Sequence, residues 1–310
     1  MVRSAEIRRA GVCVRPHLWV TGAAWDHASM PEPLTSTDLE VVASVGGFFA
    51  LRLAPSGNRP AEAGAELTAH GQGAHAEVAA HDGPALGAVY AGHHAPIAFR
   101  VTKVQSAIGA PQVRIAVSIA QLGLAARLWS MALGSAVLHD RIPDLDPARL
   151  HWDPDAAAPD DLRLTVPAGA PSHPAAAMTP RPAGDPAPVI LAADSRAVAD
   201  LSAIVLDQHL TPLTTALRAQ FRIAEGLLWG NAGSALAGAA RELQRWARRE
   251  RRSEVAERTR TLTGRLFEDP RLSGTGTFDG PVFRRRTCCL YYRIPGGGVC
   301  GDCCFDAPPS

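Results

Sequence analysis

Pro111-Gln-Val-Arg-Ile-Ala-Val-Ser-Ile-Ala-Gln-Leu-Gly-Leu-Ala-Ala-Arg-Leu-Trp-Ser-Met-Ala-Leu-Gly-Ser-Ala-Val-Leu-His139 is the longest periodic run in the chain, and its reading decides the fold. Proline is favoured at the first position of a helix, where its missing N–H has no partner to lose, so Pro111 predicts a helix start. From there Ile115, Ile119, Leu122 and Leu128 recur on one face with Leu124 alongside, the spacing of a core-facing helix. Arg114, Ser118, Gln121 and Arg127 interrupt the apolar pattern. Arg114 and Arg127 are candidates for reaching an anionic substrate, although snorkelling or pairing with carboxylates is the favoured reading. Gly134 is read as a break between two packed helices.

Helical spacing returns downstream. Val198, Leu201, Ile204 and Val205 share a face, a turn is expected near His209-Leu-Thr-Pro212, and Leu213, Leu217 and Phe221 follow. Leu227-Leu-Trp-Gly-Asn-Ala-Gly-Ser-Ala-Leu236 continues with small residues that let neighbouring backbones approach closely. Each glycine costs a helix about 1 kcal/mol against alanine, so close packing or a local break must compensate. Asn231 is either a buried hydrogen-bonding residue, the favoured reading, or a substrate contact.

Upstream, Thr37-x-x-Glu40 has the form of a capping box ahead of Leu39, Val42 and Val45, and Gly46-Gly47 ends that helix. Phe48-Phe-Ala-Leu-Arg-Leu53 reads as a strand, with Gly87-Ala-Val-Tyr90 and Leu162-Arg-Leu-Thr-Val166 as further candidates. Residues 1 to 36 show no clear period. His70, His75, His81, His93 and His94 are close in sequence but match no metal-ligand spacing, so they read as loop histidines. From His151 to Pro188 the composition shifts to Pro, Ala and Asp, as in a long connection.

These elements predict an α+β protein dominated by helices. Residues 1–150 form a mixed N-terminal part with a few strands, 151–189 a Pro/Ala-rich connection, 190–282 a helical lobe, and 283–310 a cysteine segment. Leu290, Tyr291 and Tyr292 are expected to hold that segment in place.

With 31 basic and 30 acidic residues among 310, the chain lacks the basic excess of a dedicated nucleic-acid binder. Met-Val-Arg-Ser-Ala-Glu-Ile-Arg-Arg9 does not read as a secretory signal, which places the protein in the cytoplasm. Arg52, Arg114 and Arg127 break the most apolar stretches before they reach the ~20 residues of a membrane span, so no transmembrane segment is expected. Peripheral membrane association is left open. The run Arg245, Arg248, Arg249, Arg251 and Arg252, diluted by Glu250, Glu254 and Glu257, reads as a solvated face. A docking patch for an acidic electron donor is the sharper alternative. Ser273-Gly-Thr-Gly-Thr-Phe278 lacks the pattern of a phosphate loop and more simply orders the approach to the cysteines.

Five of the six cysteines fall in Arg286-Thr-Cys-Cys-Leu-Tyr-Tyr-Arg-Ile-Pro-Gly-Gly-Gly-Val-Cys-Gly-Asp-Cys-Cys304. In a reducing compartment such a cluster points to a metal centre rather than to disulfides. Cys300 and Cys303 have the two-residue spacer that turns both sulfurs toward one ion, whereas the adjacent Cys288 and Cys289 tend to point apart. A two-iron cluster is the larger target and is favoured over zinc. Gly296-Gly-Gly298 lets peptide N–H groups approach sulfur, and Arg284, Arg285, Arg286 and Arg293 either supply charge that stabilises a reduced cluster or are simply exposed, the two readings being equally favoured for each. Tyr291 and Tyr292 are placed to shield it from water.

The motif Arg285-Arg-Thr-Cys-Cys-Leu-Tyr-Tyr-Arg-x-Pro-Gly-Gly-Gly-x-Cys-Gly-Asp-Cys303 resembles the C-terminal cluster motif of FhuF-like ferric siderophore reductases. Looser likeness extends through Ala116–Ser130 and Leu228–Leu236. The resemblance implies a 2Fe-2S cluster on Cys288, Cys289, Cys300 and Cys303. It also implies a cytoplasmic reductase that passes one electron to a ferric siderophore and releases Fe(II), supplied by a donor of the ferredoxin or flavin reductase type. Arg293, Arg284, Arg285 and Arg127 are the candidate substrate contacts. Cys304 departs from the family pattern, which leads one to expect an apolar residue there. Two other readings compete: a zinc-stabilised helical interaction protein, and an electron-transfer module without its own siderophore site.

Overall fold

Val113–His139 forms one helix, α4, and the rest of the structure packs around it. The computed structural model describes residues 34–55, 83–166, 187–280 and 282–309. The expectations for residues 1–33, for His70, His75 and His81, and for the Pro/Ala stretch 167–186 lie outside the described residues.

Before α4 come α1 (Ser36–Ala43), a 3-10 turn at Gly47–Phe49, β1 (Arg52–Pro55), α2 (Leu86–Tyr90) and α3 (Ala95–Ala107). After it come β2 (Leu150–Trp152), β3 (Leu162–Val166), α5 (Ala187–Leu201), a π-helical stretch Ser202–Leu210, α6 (Thr211–Gln220), α7 (Glu225–Arg249), α8 (Ser253–Leu266) and α9 (Pro270–Ser273). A hairpin of β4 (Gly276–Asp279) and β5 (Val282–Arg285) then leads into the cysteine segment. The fold is predominantly helical α+β. Its small sheet has the order β1-β3-β2, with β1 parallel and β2 antiparallel to β3.

α4 has the length and hydropathy of a membrane span, but 72% of its most apolar window is buried inside the protein. Ile115, Leu124 and Leu128 face the core as expected, whereas Ile119 and Leu122 are half-buried. Gly134 is not a break. A Cβ there would lie 2.8 Å from Phe49 Cδ1 and 3.1 Å from Val42 Cγ1, so the glycine lets α1 and the 3-10 turn close onto an unbroken helix.

Arg127 is only 1% exposed and is committed to the fold rather than to a ligand. Its Nε donates to Asp161 Oδ1 at 2.8 Å, Nη1 to the carbonyls of Gly47 and Phe48, and Nη2 to those of Ala50 and Pro159. All five donors of the guanidinium are used. This capture of carbonyls bends residues 47–49 into a 3-10 turn, and the strand expected from Phe48 begins only at Arg52.

Three other expectations are corrected. The capping box lies two residues earlier, between Thr35 and Asp38, and both of its arms are formed. Gly87–Tyr90 is helical rather than extended: Leu86 and Val89 are both fully buried at helical spacing, and the Gly87 N–H donates to Pro147 O. No turn forms at His209–Pro212. Pro212 has no N–H and its ring crowds the carbonyl four residues back; the chain widens into π turns, with Thr211 N–H reaching Leu206 O, and continues into α6.

His209, in the π stretch, is fully buried. Its Nε2 donates to Leu145 O at 2.7 Å, so its Nδ1 accepts from Tyr90 Oη at 3.0 Å. Burial pushes its pKa down to about 4. Between the ordinary value near 6.5 and about 4, the unfolded chain binds a proton that the folded chain refuses, so stability falls as pH falls through that window. The loss reaches about 3 kcal/mol at its acid end. Denaturation midpoints measured across this window are expected to show the slope in the wild type and to lose it in His209→Asn.

A candidate 2Fe-2S site on the α4–α7 seam

α7 runs along α4, and the chain from Thr275 through the cysteine segment is laid against them through two close approaches. A Cβ on Gly230 would lie 1.9 Å from Thr287 Oγ1, and one on Gly233 2.3 Å from Thr275 Oγ1. The small residues of Leu227–Leu236 are thus there for close packing, and no helix break is needed. Gly230→Ala is expected to lift the segment off the helix at a cost of about 1–3 kcal/mol. Iron retention during anaerobic dialysis against a chelator falls, and Thr287→Ala in the same chain restores it.

Polar anchors complete the seat. Ser118 Oγ on α4 donates to Cys289 O at 2.8 Å. Asn231 Nδ2 on α7 donates to Ser118 O and Oγ at 2.9 and 3.0 Å, while its Oδ1 accepts from Arg285 Nη2. Asn231 is therefore a buried hydrogen-bonding residue. Asp302, also buried, accepts from Ser234 Oγ at 2.7 Å and from Arg241 Nη1 at 2.9 Å, and its carbonyl accepts from the Arg285 N–H. Ser118 showed in the sequence only as a polar interruption of an apolar helical face and Ser234 only as one of the small residues of Leu227–Leu236, while Asp302 lies between Cys300 and Cys303 in the loop.

On this seat Cys289 is buried and Cys288, Cys300 and Cys303 are half-buried. Cys289 Sγ and Cys300 Sγ stand 3.5 Å apart. Two thiolates bound at about 2.3 Å to one tetrahedral metal take a similar separation. Cys289 is lowered to about 7 by its hydrogen bond with Cys300, helped by the Tyr291 N–H and the Arg285 charge, while the Cys300 thiol is pushed up. Cys288 Sγ accepts from Leu290 N–H at 3.2 Å and Cys303 Sγ from Phe305 N–H at 3.4 Å. Burial raises the Cys288 thiol, and nearby charge on Cys304 and Cys303 raises it further. Among the described residues no three His, Cys, Asp or Glu side chains gather closely enough to hold a metal ion as they stand. Two sulfurs at one-iron spacing, two more with N–H partners, and a buried guanidinium as counter-charge suit a cluster that divides its ligands between two irons.

The other candidates separate. Arg285 is 2% exposed and structural: Nε donates to Thr287 O, Nη2 to Asn231, and Nη1 is buried without a partner. Arg284 is exposed and donates to Asp306 and to Cys304 O. Arg293 is exposed and stacks on Tyr292, donating to its hydroxyl. Arg127 lies within the fold and not on this surface. Leu290 packs on the core, but Tyr291 is 38% exposed and Tyr292 packs against Phe305, so Phe283, Arg285 and the backbone anchors hold the segment instead of the tyrosines. His93 and His94 lie at the turn between α2 and α3.

Residues 285–305 match the family model described as the FhuF 2Fe-2S C-terminal domain, and residues 125–275 match that of the ferric iron reductase FhuF-like transporter. The chain belongs to the FhuF-like family. The cofactor of this FhuF-like chain is accordingly a 2Fe-2S cluster. A ferric siderophore reductase of Escherichia coli (strain K12) is 33% identical over 110 residues, 32% of this chain and 38% of that protein. The match thus spans under half the length of the relative. The two FhuF matches take in α4 from Ala125 onward, all of α7 and the five clustered cysteines, while Ser118 lies just ahead of them.

Proposed function

We propose that the protein is a cytoplasmic ferric siderophore reductase that transfers one electron to chelated Fe(III) and releases Fe(II). The observation that carries this reading is the pair of Cys289 and Cys300 sulfurs 3.5 Å apart, in a four-cysteine segment anchored on the α4–α7 seam. Cys288, Cys289, Cys300 and Cys303 would hold the 2Fe-2S cluster, which when bound supplies one-electron transfer.

The protein's own groups do the rest. Ser118, Asn231 and Asp302 fix the cysteine backbone so that little rearranges when charge changes. Arg285 offers a buried positive charge beside the thiolates, which favours the more negative state. Arg293, and Arg284 in part because Asp306 is ion-paired to it, put exposed positive charge near the cysteines that steers anionic partners to the site. Siderophores hold Fe(III) through hard oxygen donors, and Fe(II), with lower charge and softer character, is held far more weakly. One electron from a reduced ferredoxin- or flavin-type donor converts Fe(III) to Fe(II), and the freed oxygen donors take up protons from water.

The test uses anaerobically purified, cluster-loaded protein, chemically reduced and then mixed with ferric tris-hydroxamate, tris-catecholate or citrate complexes. Reoxidation of the protein with formation of one Fe(II) per molecule, trapped by a colour-forming ferrous chelator, is the expected result. A loaded, reduced protein that yields Fe(II) from none of them refutes the reading.

A further inference from the structure

Beside Cys300 a cleft of about 470 Å³ opens between the 3-10 turn, the middle of α4, the middle of α7 and the Cys300–Asp302 loop. This is the volume of a small-molecule site. Its walls are apolar, with Phe48, Leu122 and Ala126 on one side and Ala239 on the other. Phe48 is 46% exposed although it is a large aromatic residue. Gly238 on α7 leaves the hollow open: a Cβ there would meet nothing nearer than Arg241 Nη2 at 3.8 Å.

The polar groups lie at the end where the cysteine loop forms the wall. Arg285 lines the cleft there, 2% exposed, and carries the buried, unpartnered Nη1. The guanidinium, held by Thr287 O and Asn231 Oδ1, gives that end of the cleft a positive charge suited to an oxygen-rich, anionic ligand. Arg241 and Glu242 sit at the rim, and Arg241 is already tied to Asp302.

We propose that this cleft is the binding site of the ferric siderophore, with the chelate's organic framework against Phe48, Leu122 and Ala239 and its oxygen donors toward Arg285, beside Cys300. The assignment rests on the reductase reading given above. It seats the chelated metal next to a cysteine that also lines the cleft, so no electron path through the protein core is needed. Arg284 and Arg293, which do not line this cleft, are left to steer partners from outside.

The test measures binding and reduction separately on cluster-loaded protein. Gallium(III) complexes of a tris-hydroxamate, a tris-catecholate and citrate keep the size and charge of the ferric complexes but accept no electron, so titration calorimetry with them reads binding alone. Gly238→Trp fills the hollow from a position where a side chain has room. It is expected to weaken binding of whichever complex the wild type holds by about tenfold or more, an energetic change of about 1.4 kcal/mol. The visible spectrum and reduction potential stay unchanged, and KM for the matching ferric complex rises. Phe48→Ala, at an exposed position, is expected to weaken binding several-fold without touching the cysteine segment. If both variants bind gallium complexes as the wild type does while the wild type reduces the ferric forms, the site assignment is overturned and the reductase reading stands. If the wild type reduces no ferric complex, both fall.

Discussion

Replacing Cys300 with serine removes the 2Fe-2S chromophore, whereas replacing Cys304 with serine leaves it in place. Cys300 stands 3.5 Å from Cys289 and shares with it the spacing of two sulfurs on one metal. Its loss leaves one side of the site with a single thiolate. Changes to groups that merely support metal ligands cost about 10–100-fold in affinity or activity, and loss of a ligand is expected to exceed that. Iron and sulfide content, the visible spectrum and Fe(II) production should therefore fall together in Cys300→Ser. Cys304 is half-buried, and burial raises its thiol, with the nearby Cys303 adding to that. A Cys300→Ser protein that keeps the native spectrum would remove Cys300 from the ligand set. A Cys304→Ser protein that loses iron would bring Cys304 into it.

Asp161→Ala is expected to be the most damaging single change away from the cysteines. It leaves the guanidinium of Arg127 buried with no nearby carboxylate in hydrogen-bond contact; Arg100 also loses the carboxylate that it approaches to 4.0 Å. Breaking a buried ion pair from one side costs about 3–5 kcal/mol. At ~2–4 °C per kcal/mol for a chain of this size, the thermal midpoint drops by about 10 °C. The same pair replaced on both sides behaves differently: adding Arg127→Met removes the stranded charge and should recover much of the loss, less the four carbonyl contacts that Arg127 makes. Thermal unfolding of the two single variants and the double variant checks this. A double variant no more stable than Asp161→Ala would mean that the carbonyl contacts outweigh the charge.

The helical core was legible because its signals are local. Pro111, the Ile115–Leu128 spacing and the Leu227–Leu236 run each declare themselves within a few turns, and the adjacent cysteines do so within sixteen residues. What escaped the sequence depends on partners far away along the chain. Arg127 becomes structural through Asp161 and through carbonyls at residues 47, 48, 50 and 159, none of which its neighbours reveal. Gly134 signals flexibility until Phe49 and Val42 are seen against it. Arg284 and Arg285 look alike as part of a basic triplet, yet β5 turns Phe283 and Arg285 inward and Val282 and Arg284 outward. That alternation was present in the residues, but a four-residue strand is too short to announce its period.

The seat of the cysteine segment also orders events during synthesis. Ser118, Asn231 and Ser234 sit on helices that precede Cys288 in the chain, so the floor leaves the ribosome before the thiols that it will hold. Chains tend to fold as they emerge, N-terminal parts first. The cysteine segment, made after that floor, then docks onto a surface that is already formed.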